Sequence, residues 1–142
     1  MRTVQQLLDA KRPEIFAVAP AAPMIDAIRL MAEKHIGAVL VMEGSRLAGI
    51  LSERDYARKI VLEGRSSKDT PVRDVMTADV ITVGPGDNVQ RCMQLVTRHR
   101  IRHLPVVEGE RVLGVISIGD LVAAVIEDQQ LELDQLQRYI AS

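Results

Sequence analysis

The sequence predicts an α+β fold made of two β-α-β-β-α repeats packed about a pseudo-twofold axis. Three observations carry that expectation: an ungapped internal repeat, an apolar helical stripe in each copy, and a glycine-centred pair of short apolar runs after each stripe. Shifting the 142-residue chain by 65 positions lays residues 18–61 over 83–126 with eleven identities in 44 positions. Self-similarity at a fixed period is the mark of a duplicated unit. A unit of about 45 residues cannot cover both faces of its own sheet, because small chains bury too little surface. The two copies are therefore expected to pack on each other.

The elements follow in chain order. Residues 1–12 form an N-terminal helical segment, in which Val4, Leu7 and Leu8 mark a short helix stopped by Pro13. Repeat one spans 13–63 and opens with an apolar stretch, Ile15 to Val18. Met24, Ala27, Ile28 and Met31 then fall at i, i+3, i+4 and i+7, the stripe of an amphipathic helix. Ala38–Met42 and Leu47–Leu51 follow, joined by Glu43-Gly44-Ser45-Arg46, where glycine permits a positive φ and so a β-hairpin. A second helix starts at Ser52.

A linker over 64–79 carries Val72–Met76 as a short helix. Repeat two, 80–127, repeats the order: Val80 to Val83, the stripe Val89, Cys92, Met93 and Val96, the runs Leu104–Val107 and Val112–Ile116, and a helix from Ser117. Residues 128–142 extend that helix, with Leu131, Leu133, Leu136 and Ile140 leaving it apolar on one side. Both chain ends flank the repeats and are placed to cover a partner surface.

Composition narrows the function classes. The chain is 47% apolar and 26% charged with a net charge of −1, an ordinary globular balance. That charge gives no general attraction for nucleic acid or an anionic membrane. The longest charge-free run, Ile15 to Ile25, holds Pro20 and Pro23 and is far shorter than the roughly 20 residues that cross a bilayer. The start, Met1 to Gln5, lacks the apolar core of a signal peptide. A single cysteine fits a reducing compartment. A soluble cytoplasmic protein is expected.

Ser52 with Asp55, mirrored by Ser117 with Asp120, is the repeated polar signature. Two readings stay open. A serine followed three residues later by an acid is a variant of the helix capping box. The same geometry sets a hydroxyl, a carboxylate and free N–H groups at a helix start, which suits a phosphate and the two hydroxyls of a ribose.

The tandem of units ending Gly-h-h-Ser-x-x-Asp, where h is apolar, resembles a CBS domain pair, or Bateman module. The resemblance covers about residues 13–127, and is closest to small stand-alone bacterial members at Ser52 to Lys59 and Arg100 to Val107. It implies clefts between the copies that bind AMP, ADP, ATP, NAD or S-adenosylmethionine. Asp55 and Asp120 would take the ribose, and Ser52 and Ser117 would sit near ribose and phosphate. It further implies base-pocket segments at Phe16–Val18 with Gly37, Ala38 and Val39, and at Ile81, Thr82 and Val83 with His103, Leu104 and Pro105. Members of this family usually pair as disk-like homodimers, with the apolar helices supplying the interface.

The copies are not equivalent, since Thr82 and Pro105 are Ala17 and Leu40 in copy one. Copy two is nearer the family pattern, so two sites of unequal affinity are expected. Arg98, His99, Arg100, Arg102 and His103 form the strongest charge cluster. It is either a solvated helix end, where cations favour the dipole, or a phosphate neutraliser with Arg54 as a second candidate. Three aromatics, Phe16, Tyr56 and Tyr139, are too few for a nucleic-acid stacking platform.

No catalytic residue and no metal site are expected. Gly114 to Gly119 is not a Gly-x-Ser-x-Gly elbow. His35, His99 and His103 lack ligand spacing and have one cysteine to join. Cys92 lies on the apolar stripe, where a buried thiol is inert. The reading is a non-catalytic sensor of an adenine nucleotide that acts on a protein effector or through dimer rearrangement. The competing reading is a ligand-independent dimerisation or docking module.

Overall fold

The computed structural model describes residues 2–11 and 14–141. The chain divides into two compact units, one of residues 14–81 with 108–112, the other of 2–11, 82–107 and 113–141. Each is built around one copy of the repeat.

In the first unit, β1 (Ala17–Val18) leads to α2 (Met24–Lys34), then β2 (Ala38–Glu43) and β3 (Arg46–Ser52). The sheet has the order β1-β2-β3, with β1 parallel to β2 and β3 antiparallel to it. The hairpin register pairs Ala38 with Ser52, and Gly44 takes a φ of 60° in the turn, as its glycine anticipates. The apolar stripe of α2 does what its spacing predicts. Met24, Ala27 and Met31 are buried against Val39, Val41 and Leu51, with Ile28 partly covered. The second helix differs from the expectation. It runs as α-helix α3 for four residues, Glu53–Tyr56, and then widens into a π turn at Ala57–Val61 that buries Ile60.

The second unit repeats this architecture. Helix α4 (Val89–His99) buries Val89, Cys92, Leu95 and Val96. Strands β4 (His103–Glu108) and β5 (Arg111–Ser117) form a two-stranded sheet whose burial patterns match those of β2 and β3 position for position. The first strand of copy two is reduced to one parallel bridge, Val83 to Val106. That bridge keeps the register of Val18 with Val41, 65 positions earlier. The closing helix α5 runs unbroken from Ile118 to Ala141. It carries Leu131, Leu133, Leu136 and Ile140 as expected, all exposed.

The N-terminal segment is part of copy two. Helix α1 (Val4–Ala10) starts from a complete capping box at Thr3 and Gln6 and buries Val4, Leu7 and Leu8. It ends at Ala10; the expected stop at Pro13 lies outside the described residues. Its backbone is tied down by Val4 N–H to the Asp87 carbonyl (2.8 Å), Gln5 N–H to the Pro85 carbonyl (3.0 Å), and Val89 N–H to the Arg2 carbonyl (3.0 Å). Copy one receives the same three bonds from the linker: Val72 N–H to Ala22 (2.8 Å), Arg73 N–H to Pro20 (2.9 Å), and Met24 N–H to Thr70 (2.8 Å). Residues 2–8 therefore do for copy two what 70–76, a 3-10 turn at Val72–Asp74, do for copy one. The duplication reaches further upstream than the 65-residue shift reveals.

Candidate ligand-binding site

Each strand–helix turn is closed by the same polar lock. In copy one the Ser52 N–H and hydroxyl donate to Asp55 Oδ2 at 2.9 and 3.0 Å, and Asp55 N–H donates to Ser52 Oγ at 3.2 Å. In copy two Ser117 N–H donates to Asp120 Oδ2 at 2.9 Å, and Asp120 N–H to Ser117 Oγ at 3.2 Å. The capping geometry is thus present in both copies. Neither carboxylate is fully enclosed, with side-chain exposures of 17% for Asp55 and 28% for Asp120. The cap leaves each acid partly exposed.

The helix starts offer fewer spare donors than the sequence suggested. Glu53 N–H donates to the Gly37 carbonyl (3.0 Å) and Ile118 N–H to the Arg102 carbonyl (2.8 Å). The N–H groups of Asp55 and Asp120 are taken by the serines. A helix N-terminus leaves four orphan donors, and the residue before each hairpin, with the capping serine, consumes part of that set. These bonds also give Gly37 and Arg102 a backbone role at the site: they tie the beginning of the hairpin to the acid-bearing turn.

The expected base-pocket segments come together within each copy. Leu40 N–H donates to the Phe16 carbonyl (3.1 Å), and Ala38 stands opposite Ser52, with Val39 buried beside it. In copy two Val83 N–H donates to the Pro105 carbonyl (3.0 Å). Ile81 and Thr82 lead into that bridge, partly exposed, while Leu104 is fully buried. Leu104 is therefore a core residue.

The basic cluster divides by burial. Arg98 and His99 end α4, and Arg100 is its left-handed cap at φ 55°, as His35 is for α2. Arg98, His99, Arg100, Arg102 and Arg54 are exposed. His103 is different. It is half-buried at the head of β4, and burial, then the charge of Lys11, push its imidazole below the usual histidine range; Asp120 opposes and Arg102 adds to the push. Cys92 is fully buried, and that burial, with Asp87, raises its thiol to about 11 against a smaller opposing effect of Arg91. It is no nucleophile at neutral pH.

Two lysines complete the site, and neither was anticipated. Lys59 Nζ lies 3.3 Å from Asp55 Oδ1 and donates to the Val75 carbonyl at 2.9 Å. Lys11 Nζ donates to Asp120 Oδ2 at 2.8 Å and to the Val115 carbonyl at 3.1 Å. Burial alone would raise the Asp120 carboxyl; the hydrogen bonds from Lys11 and Ser117, with the lysine's charge, outweigh it and hold the acid below its usual range. Lys59 was legible as an i,i+4 partner of Asp55. Lys11 lies 109 residues from Asp120, and no local pattern signals it. Among the described residues no group of three or more His, Cys, Asp or Glu side chains gathers as a metal site, and no helix is long and apolar enough to cross a membrane.

The CBS domain family model matches residues 7–62 and again 72–127. The chain belongs to the CBS-domain family. It is 48% identical over 120 residues to the CBS domain-containing protein CBSX3, mitochondrial, of Arabidopsis thaliana, covering 81% of this chain and 58% of that protein. A structure of a protein with CBS domains from Burkholderia ambifaria MC40-6 superposes with a TM-score of 0.87 at 53% identity, covering 90% of this chain and 96% of the other. The CBS domain protein PAE2072 from Pyrobaculum aerophilum, complexed with AMP, superposes with a TM-score of 0.75 at 28% identity, covering 84% and 89%.

Proposed function

We propose that this CBS pair is a regulatory sensor that holds an adenosine-containing nucleotide at its Ser-x-x-Asp turns. The regulatory role goes with the family. The nucleotide reading is supported most by one observation: both copies keep a partly exposed carboxylate at the strand–helix turn, pre-ordered by a serine and charge-balanced by a lysine. The carboxyls of Asp55 and Asp120 accept from ribose hydroxyls; Gly37–Val39 line the base in copy one, and His103–Pro105 with Ile81 and Thr82 line it in copy two. Arg54, Arg100 and Arg102 are the candidates for phosphate oxygens. That a relative is complexed with AMP makes this ligand class the first to test.

The chain then acts without catalysis, by a change of conformation passed to a protein effector or through a homodimer. A ligand shifts such an equilibrium only by its differential affinity for the two states. A reducing compartment such as the cytoplasm suits a chain whose one cysteine is a buried thiol. Calorimetry on nucleotide-stripped protein with AMP, ATP, NAD and S-adenosylmethionine tests the proposal. Binding that vanishes in Asp55→Ala with Asp120→Ala, in a variant that still unfolds cooperatively, is the expected result. No heat with any of the four would instead favour a docking module, and specific hydrolysis of AMP, ATP or NAD would make the protein an enzyme.

A further inference from the structure

The two acids each meet an ammonium group, but the lysines are not copies of one another. Lys59 stands on the helical turns after Asp55, and its repeat counterpart, 65 positions on, is Ala124. Lys11 stands at the end of the N-terminal helix, and its counterpart in the linker, 68 positions on from the matching of 2–8 with 70–76, is Asp79. The repeat therefore does not relate the two lysines to each other. Each copy lacks the lysine the other has, and each places one on its own acid by a separate route.

The route in copy two is specific. In copy one the linker leaves its turn and pairs Thr77 with Ile50, the Thr77 N–H donating to the Ile50 carbonyl at 2.9 Å. In copy two α1 stays helical to Ala10. The equivalent carbonyl, Val115, then receives the Lys11 ammonium instead, at 3.1 Å. The helix that delivers this lysine is anchored by three buried apolar side chains, Val4, Leu7 and Leu8. Its root is thereby fixed on the fold. An ammonium has three donors; two serve Asp120 and Val115, and one remains. The bonds to Asp120 from the Lys11 ammonium and from the Ser117 N–H both fall on Oδ2.

We infer that Lys11 is a specificity-determining residue of the copy-two site, cancelling the charge of Asp120 and turning its remaining N–H toward an anionic oxygen, so that this site selects a phosphorylated adenosine ligand over neutral adenosine. This rests on the nucleotide reading proposed above. A bare carboxylate that grips a ribose repels the phosphate attached to the same sugar. With its own counterion in place it does not. The sugar hydroxyls meet the carboxylate, and the phosphate meets a cation that is already ordered. A partly exposed ion pair contributes little to stability, so stability alone is a weak reason for two independent placements.

The test uses the full chain, stripped of nucleotide, in an Asp55→Ala background so that the remaining binding belongs to copy two. AMP and adenosine are titrated against this protein and against its Lys11→Met and Lys11→Arg derivatives. Lys11→Met is expected to weaken AMP about tenfold or more, the scale of losing a charge-assisted bond, while adenosine changes less than about twofold; Lys11→Arg restores most of the AMP preference. Retained adenosine binding shows that the fold and the sugar acid are intact. If Lys11→Met weakens both ligands equally, or neither, the inference is overturned while the nucleotide reading stands. If the parent Asp55→Ala protein binds neither ligand, there is no copy-two site, and the inference falls with it. Should Lys11→Met fail to fold, Lys11→Gln is the milder variant, judged by the same ratio.

Discussion

Copy one and copy two close the same turn with the same serine–aspartate lock, yet they bring the compensating lysine to it from different parts of the chain. The lock is part of what was duplicated, because it caps a helix and a helix start needs its donors satisfied wherever it occurs. The lysine comes from a different segment in each copy. The same contrast runs through the surroundings. A linker that folds as a 3-10 turn and a strand-like bridge completes copy one, and a helix completes copy two. Shared hydrogen bonds mark what the fold requires; the features that differ are where the two halves become able to do different things.

The largest effect is expected from Leu8, one of the side chains that α1 buries. Leu8→Ala is expected to cost about 2–4 kcal/mol, the usual range for a buried leucine, read from the urea midpoint. A change below about 0.5 kcal/mol would show that the N-terminal helix is an ornament on copy two. The glycines facing the two leaders sharpen the point. A Cβ on Gly49 would meet the Thr77 carbonyl at 2.9 Å as well as Met76 Sδ at 2.7 Å, whereas one on Gly114 would meet only the tip of Leu8 at 2.9 Å. Backbone cannot give way as a leucine can. Gly49→Ala should therefore cost about 2–3 kcal/mol and Gly114→Ala roughly 1 kcal/mol, within the range for overpacking. Equal costs would mean that the two leaders are packed alike after all.

The helix caps test a subtler equivalence. His35 and Arg100 both hold φ 55°, a conformation that favours glycine. His35→Gly and Arg100→Gly should each stabilise by about 0.5–1 kcal/mol in thermal unfolding. If Arg100 also serves a phosphate, Arg100→Gly alone will weaken AMP, so a stabilised protein with unchanged AMP affinity would leave it only a cap.

The smallest effect concerns pH. The folded Asp120 titrates below its ordinary 3.8, so its contribution is present above the unfolded value and disappears as pH falls through the lower folded value. Lys11→Met should remove at most about 1 kcal/mol at neutral pH, since both partners are partly exposed. It should also flatten the loss of stability on acidification from about pH 5 to pH 3. An unchanged slope would show that the pair does not act as a unit.

Much of the architecture was legible because periodicity and duplication are local or repeated signals. The stripe of Met24, Ala27 and Met31, the hairpin glycines, and Ser52 and Ser117 at helix starts all announce themselves within a few residues. The shortfall of the first strand of copy two to the single bridge at Val83 was not legible, since Val80 to Val83, three of its four residues β-branched and apolar, suits a strand as well as Ile15 to Val18. The turn of Ala57–Val61 into a π helix left no pattern either. The leader's membership of copy two needed a second shift of 68, visible only where Val4, Leu7 and Leu8 lie over Val72, Val75 and Met76. Lys11 was out of reach because its partner is set by tertiary structure alone.

The most direct test of the account is a crystal structure of the protein with AMP. It should show ribose hydroxyls within about 3 Å of the carboxyl oxygens of Asp120, the normal hydrogen-bond range, with Ser117 still capping the helix. AMP seated away from both Asp55 and Asp120, or crystals grown in saturating AMP that hold none, would contradict it.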